Sequence, residues 1–134
     1  MKLTKAQRES VRMKFGGRCA YCGDQLGERW HADHLLAVAR DDKWVWGKGF
    51  VPTGELLRPQ HDTLENMMPA CPPCNIDKGP NNLDWWRKKL QDATAVLTRN
   101  NPTYRHARRF GLVEETGRPI VFYFEQQQSA HADT

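Results

Sequence analysis

Two short stretches, Trp30-His31-Ala32-Asp33-His34 and Cys71-Pro72-Pro73-Cys74-Asn75, decide the fold of this chain. A second cysteine pair lies upstream, in Cys19-Ala20-Tyr21-Cys22, and the sequence contains no other cysteine. Each pair has the C-x-x-C spacing, in which a tight turn directs two thiolates at one metal ion. A redox C-x-x-C motif needs only one pair and a βαβ setting, which this sequence lacks. The sequence therefore predicts a closed zinc site with four thiolate ligands: Cys19, Cys22, Cys71 and Cys74.

The composition is typical of one small domain with a polyanionic partner. The chain has 134 residues, of which 39% are hydrophobic, a net charge of +4 and a pI of about 9.0. A chain of this length buries a modest core. The positive charge suits nucleic acid, although many basic proteins bind none. Because no long apolar run and no apolar N-terminal stretch is present, we expect no membrane span, no signal peptide and an intracellular location.

Local patterns predict helices and strands around the two motifs. Apolar residues at helical spacing, with caps at Thr4 and Asn82, predict helices over residues 4–15 and 83–98. A short basic helix is expected over residues 103–110. Strands are predicted over residues 29–38 and, from β-branched and aromatic content, over residues 118–125.

The domain boundaries follow from the same patterns. We expect a single domain over residues 1–125 and a flexible tail over residues 126–134. Residues 40–63 are predicted to form a long polar loop, which is unusual in a compact domain and often functional. The aromatic residues of this loop either contact nucleic acid, with Arg40, Lys43 and Lys48, or fold back onto the domain. The sequence leaves both alternatives open.

At Asp33-His34, Asn66 and Asn75, the chain resembles the HNH endonuclease family, in particular its zinc-clamped branch from bacteriophage genomes. The match covers roughly residues 5–90, with its core at about residues 15–90. The resemblance implies an α+β fold with a small ββα-metal (His-Me finger) core, flanking helices and the predicted C-terminal strand. It further implies a metal-dependent DNA endonuclease, and it fits a phage-encoded protein acting inside a bacterial host.

The resemblance also implies a role for each matching residue. His34 matches the general base, and Asp33 and Asn75 match the ligands of a catalytic Mg²⁺ or Mn²⁺. Asn66 matches the residue that holds the loop bearing the base through hydrogen bonds to the backbone. Lys78 matches a basic position of less defined role. The candidate DNA contacts are one histidine and four basic residues: His31, Lys78, Arg40, Lys43 and Lys48. The alternative for His31 is a strand histidine whose polar atoms are satisfied by a neighbour.

The chemistry of these side chains fits phosphodiester hydrolysis. Imidazole accepts a proton from water near neutral pH, and a carboxylate with one amide leaves a hard cation open to phosphate. One such site cuts one strand per visit, so a monomer is expected to nick, and double-strand cleavage needs a dimer or two visits. The alternatives are a non-catalytic nucleic-acid-binding or inhibitor module on the same fold, and a structural zinc protein that binds another protein. A pure binder has no need of Asp33, His34 and Asn75 together.

Overall fold

A computed structural model describes residues 1–132 and has a mixed α+β fold, which confirms the predicted class. The helices in this range are α1 (Lys5–Arg12), α2 (Pro72–Lys78), α3 (Leu83–Gln91), α4 (Ala93–Asn100), α5 (Pro102–Arg109) and α6 (Tyr123–Ala132). The strands are β1 (His31–His34), β2 (Arg40–Val45), β3 (Gly49–Leu56) and β4 (Met67–Ala70). They form two antiparallel two-stranded sheets, β1–β4 and β2–β3. None of the helices in residues 1–132 has the length and apolar character that crossing a bilayer requires.

Helix α1 confirms the helix predicted over residues 4–15. The Thr4 side chain accepts a hydrogen bond from the Gln7 N–H, and the Gln7 side chain accepts one from the Thr4 N–H, which closes a capping box. A 3₁₀ turn, Met13–Phe15, follows α1 and ends at Gly16. The φ of Gly16 is +64°, in the left-handed region that glycine adopts readily, so the chain reverses here toward the first cysteine pair.

Strands β1 and β4 form the sheet that carries the Asp33-His34 motif. Their register pairs Asp33 with Met68 and His34 with Met67. All four residues of β4 are buried, and this strand leads through Cys71 directly into α2, which packs against β1. The strand predicted over residues 29–38 is shorter in the structure, because the chain bends away directly after His34.

The prediction of a long loop over residues 40–63 is wrong for most of this segment, because strands β2 and β3 form a hairpin there. Gly47 lies in the hairpin turn with a φ of +83°, a conformation that favours glycine. The sequence pattern alone shows this glycine only as a break, whereas the structure uses it to reverse the strand. Trp44, Trp46 and Phe50 are 61%, 91% and 73% exposed, so these aromatic rings do not fold back onto the domain.

The C-terminal strand predicted over residues 118–125 is wrong, because helix α6 takes up the end of this segment. The Glu125 side chain accepts a hydrogen bond from the Phe122 N–H at 2.9 Å, a contact typical of the first turn of a helix. Helix α6 then continues through most of the tail predicted over residues 126–134. The last two residues of that tail lie outside the described range.

The start of α6 is anchored on the turn that carries the first cysteine pair. Phe122 and Phe124 are buried against the Tyr21 ring in edge-to-face contacts, with centroids 5.8 Å and 6.2 Å from it. The backbone N–H of Tyr123 donates to the Tyr21 carbonyl and that of Phe124 to the Ala20 carbonyl. These contacts, rather than strand pairing, satisfy the aromatic segment, and they explain why β propensity did not decide its conformation.

The chain divides into two compact units, residues 1–83 with the segment from Phe122 onward, and residues 84–121. The second unit contains α4, α5 and nearly all of α3. By sequence it has eight lysine and arginine residues and four acidic residues, so it accounts for the net charge of +4. The basic and acidic residues of the first unit are equal in number, so its net charge is zero. The single domain expected over residues 1–125 stays a prediction.

Two predictions concern the helices of the second unit. The helix expected over residues 83–98 is two helices, α3 and α4, with Asp92 as the N-cap residue of α4. The short basic helix expected over residues 103–110 is confirmed as α5. The Asn101 side chain accepts a hydrogen bond from the Tyr104 N–H at 3.1 Å and caps α5 at its start.

Phe122→Ala is expected to lower the free energy of unfolding by about 3 kcal/mol, because deleting a buried ring leaves a cavity. The Phe122 side chain is 2% exposed. The matched control is Phe110→Ala, which removes a ring that is 77% exposed and should cost less than about 0.5 kcal/mol. Urea denaturation followed by circular dichroism measures both values. Equal, small effects would contradict the packing described for Phe122.

Candidate metal centre and active site

The four cysteines converge in the first unit. Their Sγ atoms all lie within 4.8 Å of one another, and those of Cys22 and Cys71 are 3.8 Å apart. A zinc ion with bonds of about 2.3 Å to four sulfurs in a tetrahedron sets the sulfurs about 3.8 Å apart. None of the four thiols is in a disulfide. The cluster could therefore hold a metal ion such as zinc.

Backbone N–H groups point at the sulfurs of this cluster. The N–H groups of Tyr21 and Cys71 each donate to Cys19 Sγ at 3.4 Å, and the N–H of Asp24 donates to Cys22 Sγ at 3.4 Å. Donors in these positions stabilise negative charge on sulfur, which is the form that binds a metal. Gly23 directly follows Cys22 and has a φ of +82°. Glycine suits the sharp reversal of the chain at this turn.

The thiols also perturb one another's protonation. A hydrogen bond from Cys74 lowers the pKa of Cys19 to about 4, and the same bond raises the pKa of Cys74. Burial raises the pKa of Cys22 to about 12. Negative charge on Cys19 disfavours a further thiolate beside it, and a bound cation would offset this repulsion.

Asp33 lies at the end of β1 and is buried by two partners. The Tyr21 hydroxyl donates to Asp33 Oδ2 at 2.5 Å, and the Lys78 ammonium lies 3.0 Å from the same oxygen. Burial, and then the Asp33 charge, raise the pKa of Tyr21, so its hydroxyl stays a donor. The contact of Tyr21 with Asp33 joins two residues of different motifs and has no local sequence signal.

Lys78 is a buried lysine at the end of α2. Its side chain is 1% exposed, and its ammonium donates to the His34 carbonyl at 3.0 Å as well as pairing with Asp33. Lys78 also lines the cleft beside Asp33 and His34, so its predicted contact with DNA stays a prediction. Its two polar contacts connect the end of α2 to the end of β1.

His34 has a carboxylate partner that the sequence analysis missed. Its Nε2 atom lies 2.9 Å from Asp62 Oδ1, and Asp62 Oδ2 is 2.6 Å from the N-terminal ammonium of Met1. The ammonium and then His34 lower the pKa of Asp62 through these hydrogen bonds, so Asp62 remains an acceptor. Asp62 stands in an irregular segment, where no spacing rule links it to His34.

Asn66 joins the chain before β4 to the chain after β1. Its side chain accepts a hydrogen bond from the Leu36 N–H at 2.9 Å and donates to the Leu36 carbonyl at 2.8 Å. It also donates to the His61 carbonyl at 2.7 Å. These are backbone hydrogen bonds of the kind that the family resemblance implies for this position, and they hold the segment that follows His34.

Asn75 lies on α2, directly after the second cysteine pair. Its side chain is half-buried and makes no hydrogen bond to any of the residues that the structure describes. Its backbone continues the helix, since its N–H donates to the Cys71 carbonyl and its carbonyl accepts from the Gly79 N–H. The Asn75 amide therefore has hydrogen-bonding capacity that the described residues do not use.

An open cleft of about 570 Å³ lies beside Asp33 and His34 in the first unit. Arg40, Asp42 and Lys78 also line this cleft. Within residues 1–132, the cysteine cluster is the group of three or more His, Cys, Asp or Glu side chains close enough to share an ion. A second ion in the cleft would therefore take few protein ligands and many waters.

The remaining predicted contacts are on the surface. His31 is exposed at the other end of β1 from His34. Arg40, Lys43 and Lys48 are exposed along the β2–β3 hairpin. Their positions suit contact with a large ligand, and none of them holds the fold in place.

Removing the metal with a strong chelator is expected to unfold the first unit. In closed thiolate sites, binding energy on the order of 10 kcal/mol is also folding energy. The expected result is a loss of helical circular dichroism on chelation and its recovery when Zn²⁺ is added back, with four thiols protected per bound ion. Cys71→Ser should lower the bound zinc. A chelated protein that melts at an unchanged temperature would contradict a structural metal.

The nuclease interpretation of these residues comes from their motifs and from their chemistry. The two cysteine turns, the Asp33-His34 pair and Asn66 all lie in the first unit, around β1, β4 and α2. In comparisons with known proteins, no family model, no curated protein and no solved structure matches this chain.

Proposed function

We propose that this protein is a metal-dependent endonuclease that hydrolyses phosphodiester bonds in DNA. Its ββα-metal core would consist of β1, β4 and α2, with a structural Zn²⁺ on the four cysteines. The observation that carries the proposal is the bond of Asn66 to both backbone groups of Leu36, because this fixes the strand end where Asp33 and His34 line an open cleft. A phosphodiester in that cleft meets an imidazole and a carboxylate, which metal-assisted hydrolysis uses.

His34 is the proposed general base. The protonated Nε2 donates a hydrogen bond to Asp62, 2.9 Å away. The unprotonated Nδ1 is then the atom that accepts a proton from water. Asp62 is then a positioning residue, which selects the tautomer and the ring orientation of His34. The water that His34 deprotonates attacks the phosphorus, and the 3′ oxygen leaves.

Asp33 and Asn75 are the proposed protein ligands of a catalytic Mg²⁺ or Mn²⁺. Their donor chemistry fits, since hard cations bind carboxylate and amide oxygens. Tyr21 and Lys78 both contact Oδ2 of Asp33, so the other carboxylate oxygen is the one available to an ion. When bound, the cation supplies a counter-charge for the phosphate and for the leaving oxygen. Tyr21 and Lys78 hold the Asp33 carboxylate in one orientation for this purpose.

A non-catalytic nucleic-acid-binding module is the second candidate, and one observation favours it. The Asp33 carboxylate already has a positive partner in Lys78. A carboxylate neutralised in this way attracts a second cation less strongly. Nicking of supercoiled plasmid DNA with Mg²⁺, Mn²⁺ or EDTA separates the two candidates, because only the nuclease relaxes the plasmid in a cation-dependent way.

His34→Ala is expected to slow plasmid nicking by about 100-fold or more, since a general base contributes about 10²–10⁴-fold. The matched control is His106→Ala, the same substitution at an exposed histidine of α5 in the second unit, which should keep at least half of the activity. Both variants should retain the wild-type circular dichroism and DNA affinity. Undiminished nicking by His34→Ala would refute the assignment of the base.

The dependence of the wild-type nicking rate on protein concentration tests the oligomeric state, and a linear dependence would fit a monomer.

Asp62→Asn is expected to lower kcat by about tenfold or more, with little change in KM, because His34 loses the acceptor that orients it. The diagnostic readout is the ¹⁵N spectrum of the His34 ring, in which the Nε2–H tautomer should lose population. Asp42→Asn removes a carboxylate that lines the cleft beside His34 and should leave this tautomer unchanged. If Asp62→Asn keeps both kcat and the tautomer, Asp62 has no role in positioning His34.

A further inference from the structure

The tip of the β2–β3 hairpin, residues 43–51, has the sequence Lys43-Trp44-Val45-Trp46-Gly47-Lys48-Gly49-Phe50-Val51. Trp44 and Phe50 pair across the strands, with ring centroids 5.2 Å apart and ring planes at 75°. Trp46 lies in the turn, and all three rings are more than half exposed. Aromatic rings stabilise a fold when they are buried. Three exposed rings on one hairpin therefore contribute little to folding and indicate a binding surface.

The charge of the hairpin tip suits a nucleic acid. Its charged residues are Lys43 and Lys48, both exposed, and it has no acidic residue. The first unit as a whole has no net charge, so long-range attraction of a polyanion to this unit is weak. Affinity there must come from local contacts, and stacking of one base on an aromatic ring contributes roughly 5- to 150-fold.

The hairpin tip is also continuous with the cleft. Arg40 and Asp42, near the start of β2, line the cleft together with Asp33. Side chains alternate along a strand, so Trp44 lies on the same face of β2 as Asp42. Phe50 lies opposite Trp44 on β3. A nucleic-acid strand that leaves the cleft along this face meets the paired rings next.

We propose that the hairpin tip stacks unpaired nucleobases of a strand whose phosphate occupies the cleft. This rests on the proposed function and adds its substrate class, which is nucleic acid with single-stranded or opened bases beside the scissile bond. Bases within an intact duplex have both faces covered by their neighbours, so the exposed indole rings gain no stacking contact from it. The lysines at the tip contact the phosphates on either side of the stacked base.

The test measures binding by fluorescence anisotropy without an added divalent cation, so that no cleavage occurs. Three labelled DNA probes of equal length are compared: a single strand, a single strand with abasic sites, and a duplex. Trp44→Ala and Trp46→Ala are each expected to lower affinity for the base-containing single strand by about tenfold, and for the abasic strand by less than about twofold. Trp44→Phe should retain most of the affinity.

Phe110→Ala is the matched control, since it removes an exposed ring from the second unit and should bind all three probes as the wild type does. Thermal melting verifies that each variant folds. Equal losses on the base-containing and abasic strands would overturn the proposal, and so would unchanged binding by both tryptophan variants. Loss of self-association in Trp46→Ala with unchanged DNA affinity would instead assign the tip to contact between copies of this chain.

Failure of the proposed function has a different signature. It would appear as wild-type protein that does not nick plasmid DNA with any divalent cation, while the base-dependent binding at the hairpin tip remains. Intact nicking with no base-dependent binding would overturn the proposal for the hairpin tip alone. Both measurements use the same wild-type protein.

Discussion

Convergence of four cysteine sulfurs on one point is the constraint on which the first unit depends. The two C-x-x-C turns are far apart in the sequence, yet their Sγ atoms lie within 4.8 Å of one another. Holding them together fixes the start of α2 against the turn that follows α1. Strand β4 runs directly into α2 at Cys71, so the same constraint sets the pairing of β4 with β1. The positions of Asp33 and Lys78 follow from that pairing.

The parts of the site that could be predicted from the sequence are those with a spacing rule. The C-x-x-C spacing of the paired thiols predicts a metal site, and the cap at Thr4 predicts a helix. The contacts of His34 with Asp62 and of Asp33 with Lys78 join residues far apart in the chain and leave no periodic trace. Such pairs are specified by the folded backbone, which a single sequence does not display.

The fold was harder to predict where local propensity allows two conformations. The aromatic run near Phe122 suits a strand as well as a helix, and contact with Tyr21 together with the Glu125 cap decides for the helix. In the hairpin, glycine marks a break in the chain but not the direction in which the chain continues. The aromatic run has its partner elsewhere in the sequence, so tertiary contact overrode its local pattern. The two strands of the hairpin pair with each other within one segment, and the error there was to interpret polar and glycine residues as loop.

The packing of Phe122 and Phe124 on Tyr21 has a consequence for the order of assembly during synthesis on the ribosome. Both cysteine pairs leave the exit tunnel before the aromatic segment does, because they precede it in the chain. The four thiols are then available to a metal ion while the Tyr21 ring is still exposed. The Tyr21 ring is therefore covered only after the aromatic segment has been synthesised, later than the two cysteine turns.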